Sequence, residues 1–333
     1  MRTRSFVLIA CLGASSLGCA CRGVTNTGIA TDRDTDTDTD ADADTDADPC
    51  APTVDPGGDV DPLAGDLTVT QAATGFVFVE GPVWSCTDQT LLFTDIPANK
   101  ILALDADDTV TEFRADSGKA NGLFFDPDGL LLAAEHFNRR VSRTLADGTI
   151  ETVADAWQGK KLNAPNDVVT RQDGTLWFTD PPYGLEGRPQ ELDFVGLFRV
   201  DTSDTLHVEY QGPLSERPNG VVLSPDSKTL YLADTKKGDV VAFDVGTDGA
   251  LSDPRVFTNQ VAGADGMTVD VQGNLYVTAT AGVVVFAPDG TLRGTIVVPE
   301  QPANTAFGGP DGRTLYMTAR TSVYRVRLGL PGL

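Results

Sequence analysis

The stretch Pro218-Asn-Gly-Val-Val-Leu-Ser-Pro-Asp-Ser-Lys-Thr-Leu230-Tyr-Leu-Ala-Asp234 decides the fold. It holds two apolar runs, Gly220-Val-Val-Leu and Leu230-Tyr-Leu-Ala, on either side of the turn Ser224-Pro-Asp-Ser. Short runs rich in β-branched and aromatic residues, broken by Pro and Asp, read as antiparallel strands joined by a tight turn. Val240-Val-Ala-Phe and Arg255-Val-Phe-Thr follow, so one segment supplies four strands. The pattern then recurs along the chain. Leu91-Leu-Phe, Leu130-Leu-Leu, Leu176-Trp-Phe, Leu230-Tyr-Leu, Leu275-Tyr-Val and Leu315-Tyr-Met return about every 40 to 54 residues, which is the period of a propeller blade.

The sixth repeat stops after Ser322-Val-Tyr-Arg-Val-Arg, one strand short, while Leu67-Thr-Val-Thr-Gln-Ala precedes the first repeat as a strand without a blade. Pairing the two leaves no open sheet edge. The expected fold is therefore all-β: a six-bladed β-propeller over residues 67–333, a single domain whose last blade is closed by an N-terminal strand. The third repeat is the longest, and its insertion between Pro181 and Phe194 is expected to form a loop over one mouth of the channel.

The first strand of every repeat opens on a side chain that carries an oxygen donor: Glu80, Asn121, Asn166, Asn219, Asp265 and Asn304. Inner strands of a propeller run beside its axis, so equivalent positions converge at one rim. Two carboxylates and four carboxamides there suit a hard cation such as calcium, which takes oxygen ligands. Glu80, Asn166, Asn219 and Asp265 bring four donors and a charge that matches a divalent ion. The ring contains no thiolate or imidazole, which disfavours copper and zinc.

Ahead of the repeats, Arg2 and Arg4 precede a short apolar core from Phe6 to Leu12, a secretory signal over residues 1–19. Ser16-Leu-Gly-Cys19 is similar to a bacterial lipobox, with Cys19 as the lipidation site; plain cleavage stays open. From Asp32 to Asp48 every second residue is Asp. Such a run repels itself and has nothing to bury, so residues 20–66 read as a disordered tether. The expected location is outside the cytoplasm, on a membrane-anchored lipoprotein facing periplasm or cell exterior, with the membrane engaged only through the lipid.

The formal charge is −23, and about −15 remains outside the Asp run. That surface repels phosphate backbones and argues against nucleic acid as a partner. Of the cysteines, Cys11 lies in the signal, and Cys21, Cys50 and Cys86 follow Cys19. In an exported protein Cys50 and Cys86 are candidates to pair, or Cys50 stays free in the tether.

Eight segments in order, Glu80-Gly-Pro-Val-Trp, Ala120-Asn-Gly-Leu, Glu135-His-Phe-Asn-Arg-Arg-Val, Gly159-Lys-Lys-Leu-Asn-Ala-Pro-Asn-Asp-Val-Val, Phe178-Thr-Asp-Pro-Pro-Tyr-Gly, Arg217-Pro-Asn-Gly-Val, Ala264-Asp-Gly-Met and Asn304-Thr-Ala-Phe-Gly-Gly, carry a family resemblance. On them the chain resembles the gluconolactonase/senescence marker protein (regucalcin-like) family of calcium-dependent six-bladed lactonases, and its bacterial gluconolactonase branch above all. The resemblance implies hydrolysis of a sugar lactone such as glucono-1,5-lactone to the aldonic acid by a monomer. It implies Glu80, Asn219 and Asp265 as metal ligands, Asn166 as a fourth ligand or substrate contact, and Asp265 as acid/base. The metal is expected to be calcium, with magnesium, manganese and zinc open. Two family features are missing. Ala164 stands where vertebrate members have a substrate-clamping Arg, and Gly81 stands where paraoxonase-like enzymes have an acidic residue. A second, buried calcium at Asp167 is therefore not expected.

His136 is expected to bind substrate or relay a proton near neutral pH, with a bond across blades as the alternative. His207 lies on an outer-strand pattern and is expected to be inert. Asn121, Asp180, Tyr183 and Asn304 are candidate substrate contacts, although Asp95 and Asp234 occupy the register of Asp180, which fits a repeated turn residue equally. Two other functions remain open at this point: a propeller that binds a ligand without chemistry, and an aryl-ester or organophosphate hydrolase on the same fold.

Overall fold

The computed structural model describes residues 57–333. The signal, Cys19, Cys21, Cys50 and the Asp run lie outside the described residues. Among these residues every regular element is a strand. Six four-stranded antiparallel sheets stand in chain order, each running from an inner to an outer strand. The inner strands are Val79–Ser85, Ala120–Phe125, Val168–Thr170, Pro218–Leu223, Met267–Val269 and Pro302–Gly308. Thr70–Thr74 pairs antiparallel with Ser322–Arg327 as the outermost strand of blade 6, with Thr74 opposite Ser322. The ring is thus closed from the N-terminal side, by a strand that starts three residues later than the pattern Leu67-Thr-Val-Thr predicts.

Burial follows the order of strands. The second strands, such as Leu176–Asp180 and Leu275–Ala279, are buried at every position, whereas the outer strand Val110–Ala115 is mostly exposed. The apolar core is divided into six clusters, each shared by two adjacent blades. Trp177 and Leu197 of blade 3 pack with Val221 and Leu230 of blade 4. Tyr316 and Val323 of blade 6 pack with Leu91 and Phe93 of blade 1. Burial of this area is the main favourable term in folding, and here it sits between blades. Blades are therefore held as a ring and no sheet is stable by itself.

The Asp-Gly turns have a local cause. In Asp126-Pro-Asp-Gly the Asp126 carboxylate accepts from the backbone N–H of Asp128 at 3.0 Å and Leu130 at 2.8 Å. These Asp residues fold hairpins at the end of the barrel opposite Glu80, and contribute nothing to the mouth.

The body of the propeller begins before Leu67. The backbone N–H of Val60 donates to Gln272, whose own amide donates to the Gly58 carbonyl at 2.7 Å. Asp59 pairs with Arg293 at 3.1 Å, and Leu63 packs against the core between blades 5 and 6. Residues 58–66, expected to belong to the tether, are instead held against blades 5 and 6, because Leu63 and Leu67 give this stretch apolar area to bury. Cys86 is disulfide-bonded, and every other cysteine of the chain precedes residue 57.

Candidate active site

The six oxygen-bearing positions meet at one mouth of the channel because the inner strands lose register there. Pairing with the second strand slips between Glu80 and Val83, Ala120 and Leu123, Pro218 and Val221, and Pro302 and Asn304. Such bulges turn a side chain out of the sheet plane, in this case toward the axis. Adjacent inner strands then come very close. A Cβ on Gly81 (φ +46°) would lie 1.9 Å from the Asn121 carbonyl oxygen, and one on Gly266 would lie 2.0 Å from Asn304 Cγ. Glycine after Glu80, Asn121, Asn219 and Asp265 is thus a packing requirement, while Asp167 and Thr305 follow the other two ring residues. Blades are also stitched by Thr hydroxyls: Thr94 donates to the Asn121 carbonyl at 3.2 Å and Thr179 to that of Asn219 at 2.7 Å.

The carboxamides form a chain across blades 2 to 4. Asn121 Nδ2 donates to Asn166 Oδ1 at 2.7 Å, Asn166 Nδ2 to Asn219 Oδ1 at 2.5 Å, and Asn219 Nδ2 to Thr235 Oγ1 at 2.8 Å. Asn121 Oδ1 is buried and has no partner. A buried acceptor left unmade costs about 1–3 kcal/mol, so this atom calls for a cation or a substrate hydroxyl.

The carboxylates stand on the other side of the mouth. Glu80 is buried, and its affinity for a proton is raised first by burial and further by Asp167, against bonds from the Gly81 N–H and Asn304. Asp265 is half-buried and raised well above the usual carboxylate range, by burial, then by Glu80 and Asp167; a bond from Asn219 and the charge of Arg320 offset part of this. Asp167 lies beneath them, its oxygens accepting from the N–H groups of Val168 and Val221 at 3.0 Å, and burial pushes it up to about 7. Among the described residues no three His, Cys, Asp or Glu side chains are grouped to hold a metal. A cation at this mouth therefore depends on carboxamide oxygen as well as on Glu80 and Asp265.

His136 is buried with Nε2 3.1 Å from Asn166 Oδ1 and 3.4 Å from Asn121 Nδ2. Burial lowers it to about 4. A neutral imidazole bonded across blades at neutral pH orients Asn166; it is a weak base there, so the proton-relay role gives way to a positioning one. The rest of its motif is structural. Glu135 is fully buried between Arg114, Arg140, Ser142 and Asn138, and Arg139 clamps the Lys161 and Leu162 carbonyls of the next blade.

Asp180 is not at the mouth. Its oxygens accept from the N–H groups of Asn163 and Ala164 at 2.7 and 2.8 Å, and it is buried completely. It shapes the loop that delivers Asn166, as Asp234 does for Arg217. The proposed substrate contact is thereby corrected to a turn residue, the reading its register with Asp95 and Asp234 also allowed. Tyr183 is at the mouth, 44 % exposed, with its hydroxyl bonded to Thr235. Thr235 itself was missed; only its place one residue after the repeated Asp signals it. Within the insertion, Gly184 lies directly on the His136 ring, and Arg188 donates to the Gly184 carbonyl at 2.8 Å. A cavity of about 540 Å³ lined by Trp84, Phe125, Met267 and Phe307 extends up to Asp167 and Asn304.

A model of the SMP-30/Gluconolactonase/LRE-like region matches residues 78–321. Over 285 residues the chain is 33% identical to a gluconolactonase of Zymomonas mobilis subsp. mobilis, across 77% of this chain and 80% of that protein. It is 30% identical over 264 residues to a pentonolactonase of Haloferax volcanii, across 76% and 85%. The solved structure of a gluconolactonase from Xanthomonas campestris superposes with a TM-score of 0.74 at 30% identity, covering 83% of this chain and 99% of that one.

Proposed function

The chain belongs to the SMP-30/gluconolactonase/LRE-like family, and from that premise we propose that its mouth hydrolyses a sugar lactone. Water adds to the ester carbonyl carbon, the ring C–O bond breaks, and the alcohol oxygen takes up a proton to give the aldonic acid. The observation that carries the reading is the pairing, at one opening, of the proton-seeking carboxylate of Asp265 with the unpartnered acceptor of Asn121. A half-buried carboxylate with raised proton affinity suits a general base, and Asp265 takes the proton of the attacking water in this account. Asn121 and Tyr183 hold the sugar hydroxyls, and Asn304 bonds Glu80 and keeps it directed at the axis.

The residues present fit one divalent cation. Glu80 and Asp167 both raise the proton affinity of Asp265, and Asp167 raises that of Glu80, the behaviour of carboxylates that lack a shared counter-ion, and Asn121 Oδ1 lacks a donor. Glu80, Asn166, Asn219 and Asp265 would hold the ion, with calcium favoured by the all-oxygen donor set. When bound, it supplies Lewis acidity toward the lactone carbonyl.

The same proposal places the protein outside the cytoplasm, as a monomer anchored through lipid on Cys19. The disulfide at Cys86 supports an oxidising compartment. Residues 58–63 meet the propeller beside Gln272, on the face opposite Glu80 and Asp265.

The test is acid release from glucono-1,5-lactone in a pH-stat, using protein stripped with chelator and reloaded separately with calcium, magnesium, manganese or zinc. Turnover that returns with a cation supports the reading. A rate no higher than spontaneous hydrolysis with every ion contradicts it.

A further inference from the structure

Cations on this acidic chain are unevenly matched. Among the described residues most Lys and Arg side chains sit within ion-pair distance of a carboxylate, for example Arg199 with Glu209, Arg255 with Asp244 and Arg325 with Asp108. Six do not: Lys160, Lys161, Arg188, Arg217, Lys236 and Arg320. Lys160 and Lys161 form one strand of a short hairpin ahead of the third inner strand, and the other four lie on loops at the mouth end, either leading into an inner strand or joining a second strand to a third. At the sides and the far face every described Lys and Arg has a carboxylate partner, for example Lys228 with Asp226 and Arg293 with Asp59. Only the rim of the mouth keeps unpaired positive charge.

Three of the six are arginines fixed in place without a carboxylate. Arg217 lies over the Tyr183 ring at 5.9 Å and donates to the Leu214 carbonyl at 2.7 Å; it stands two residues before Asn219. Arg320 lies over Phe78 at 5.8 Å and donates to Gln301 at 2.5 Å; it stands two residues after Thr318, whose hydroxyl donates to the Asn304 carbonyl at 3.3 Å. Arg188 lies over Phe137 at 4.6 Å, but its Nε, Nη1 and Nη2 atoms donate to the Leu185, Phe137 and Gly184 carbonyls, so its donors are spent on the loop and it does not present a free fork. The nearby acids are engaged elsewhere. Glu186 pairs with Lys119, Glu216 with Lys237, Asp234 accepts from backbone N–H groups, and Glu300 accepts from Thr321, Ser322 and Tyr324. Arg217 and Arg320, each ordered by an aromatic plane and by carbonyls, still present donors in a fixed fork, the geometry that recognises carboxylate, sulfonate or phosphate.

We propose that the substrate is a lactone bearing a second, anionic group, a carboxylate, sulfonate or phosphate, and that Arg217 and Arg320 recognise that group at the rim. The proposal rests on the lactonase reading and narrows its substrate class. The net negative charge of the chain does not oppose it at contact range, because charges more than about 8 Å away are largely screened at physiological salt. The charge of Arg320 also reaches Asp265 at the axis, so in this account the anion lies on the outer side of that arginine while the lactone carbonyl reaches inward.

The experiment compares kcat/KM of the cation-loaded, full-length protein for glucono-1,5-lactone with values for glucaro-1,4-lactone and for 6-phospho and 6-sulfo aldonolactones. A preference of about tenfold or more for an acidic lactone is expected, carried mainly by KM, and the three anions separate the groups that could serve. Arg217→Gln and Arg320→Gln should each lower the value for the acidic substrate by about tenfold, the worth of one charge-assisted hydrogen bond, and move the acidic-to-neutral ratio toward one. Arg217→Lys should recover part of it. Equal kcat/KM for neutral and acidic lactones overturns this proposal and leaves the lactonase reading standing. A readout apart from turnover is calorimetric binding of D-glucarate against D-gluconate. The dianion should bind more tightly and lose that advantage in Arg217→Gln. Binding that is the same in wild type and both Gln variants overturns the proposal even where no lactone is turned over, a result that would separately overturn the lactonase reading.

Discussion

The Nε2 atom of His136 lies 3.1 Å from Oδ1 of Asn166, a bond that joins blade 2 to blade 3 at the mouth. Asn166 in turn donates to Asn219, and Asn219 to Thr235, so one histidine fixes the first of a line of carboxamides. Since burial holds the ring neutral down to a pH of about 4, this bond is constant across the physiological range.

Replacing His136 should therefore act on the cation before it acts on the fold. His136→Ala is expected to weaken cation affinity by about 10- to 100-fold, the usual effect of losing an outer partner of a ligand. Isothermal titration checks the affinity, and circular dichroism checks that the sheets persist. An unchanged affinity would remove His136 from the site.

The chelated protein should lose stability as pH rises. Burial raises Glu80 and Asp265, and raises Asp167 and Asp180 to about 7. A group raised in the folded state contributes stability that is complete below its ordinary value, near 4, and is lost as pH climbs through its folded value. Melting temperature without cation is expected to fall by several degrees between pH 5.5 and pH 8. Saturating calcium should flatten that slope, since the ion then offsets the carboxylate charge. A slope that is equal with and without calcium would separate the carboxylates from any ion.

Glu135 works in the opposite sense. Burial pushes it up, but bonds from Arg140, Ser142 and Asn138 and the charge of Arg114 outweigh burial and hold it below the ordinary range. Its stabilising contribution is present above about pH 4.5 and lost as pH falls through the lower folded value. Glu135→Ala leaves two arginines facing each other and should cost about 3–5 kcal/mol in urea unfolding at pH 7. A loss below 1 kcal/mol would show that the cluster is not a structural centre.

A glycine at the ring and one in a far-end turn can be ranked by contact. Gly81→Ala places a Cβ 1.9 Å from the Asn121 carbonyl at a φ of +46°, whereas the Cβ of Gly129→Ala, at φ +75°, meets nothing within 4 Å. The first should cost about 2–4 kcal/mol and the second about 1 kcal/mol. Similar costs would mean that the inner strands are free to separate.

The blade count, the closing strand and the six mouth positions were legible because each depends on repetition. Leu230-Tyr-Leu and its five counterparts must be buried between blades, and a residue at a fixed distance before them must reach the axis. What repetition does not encode was harder to read. Asp180 repeats with Asp95 and Asp234 and gave the same signal as a mouth residue, but its carboxylate is consumed by the loop over Asn163 and Ala164. Glu135 and Arg139 carry no periodic signal, and both are held inside. Thr235 and Arg320 contact the site through turns, where a single residue carries no periodic signal. The docking of residues 58–66 rests on Leu63 and on polar contacts of Gly58, Asp59 and Val60, in a segment whose composition otherwise reads as tether.

The central claim is that Asp265 supplies the base at this mouth. The most direct measurement is lactone hydrolysis by Asp265→Asn at saturating calcium, beside wild type, with the melting transition recorded for both. The account predicts a loss of at least about 100-fold in kcat, as for a general base, in a protein that still melts cooperatively. Wild-type turnover in a folded Asp265→Asn protein would contradict it.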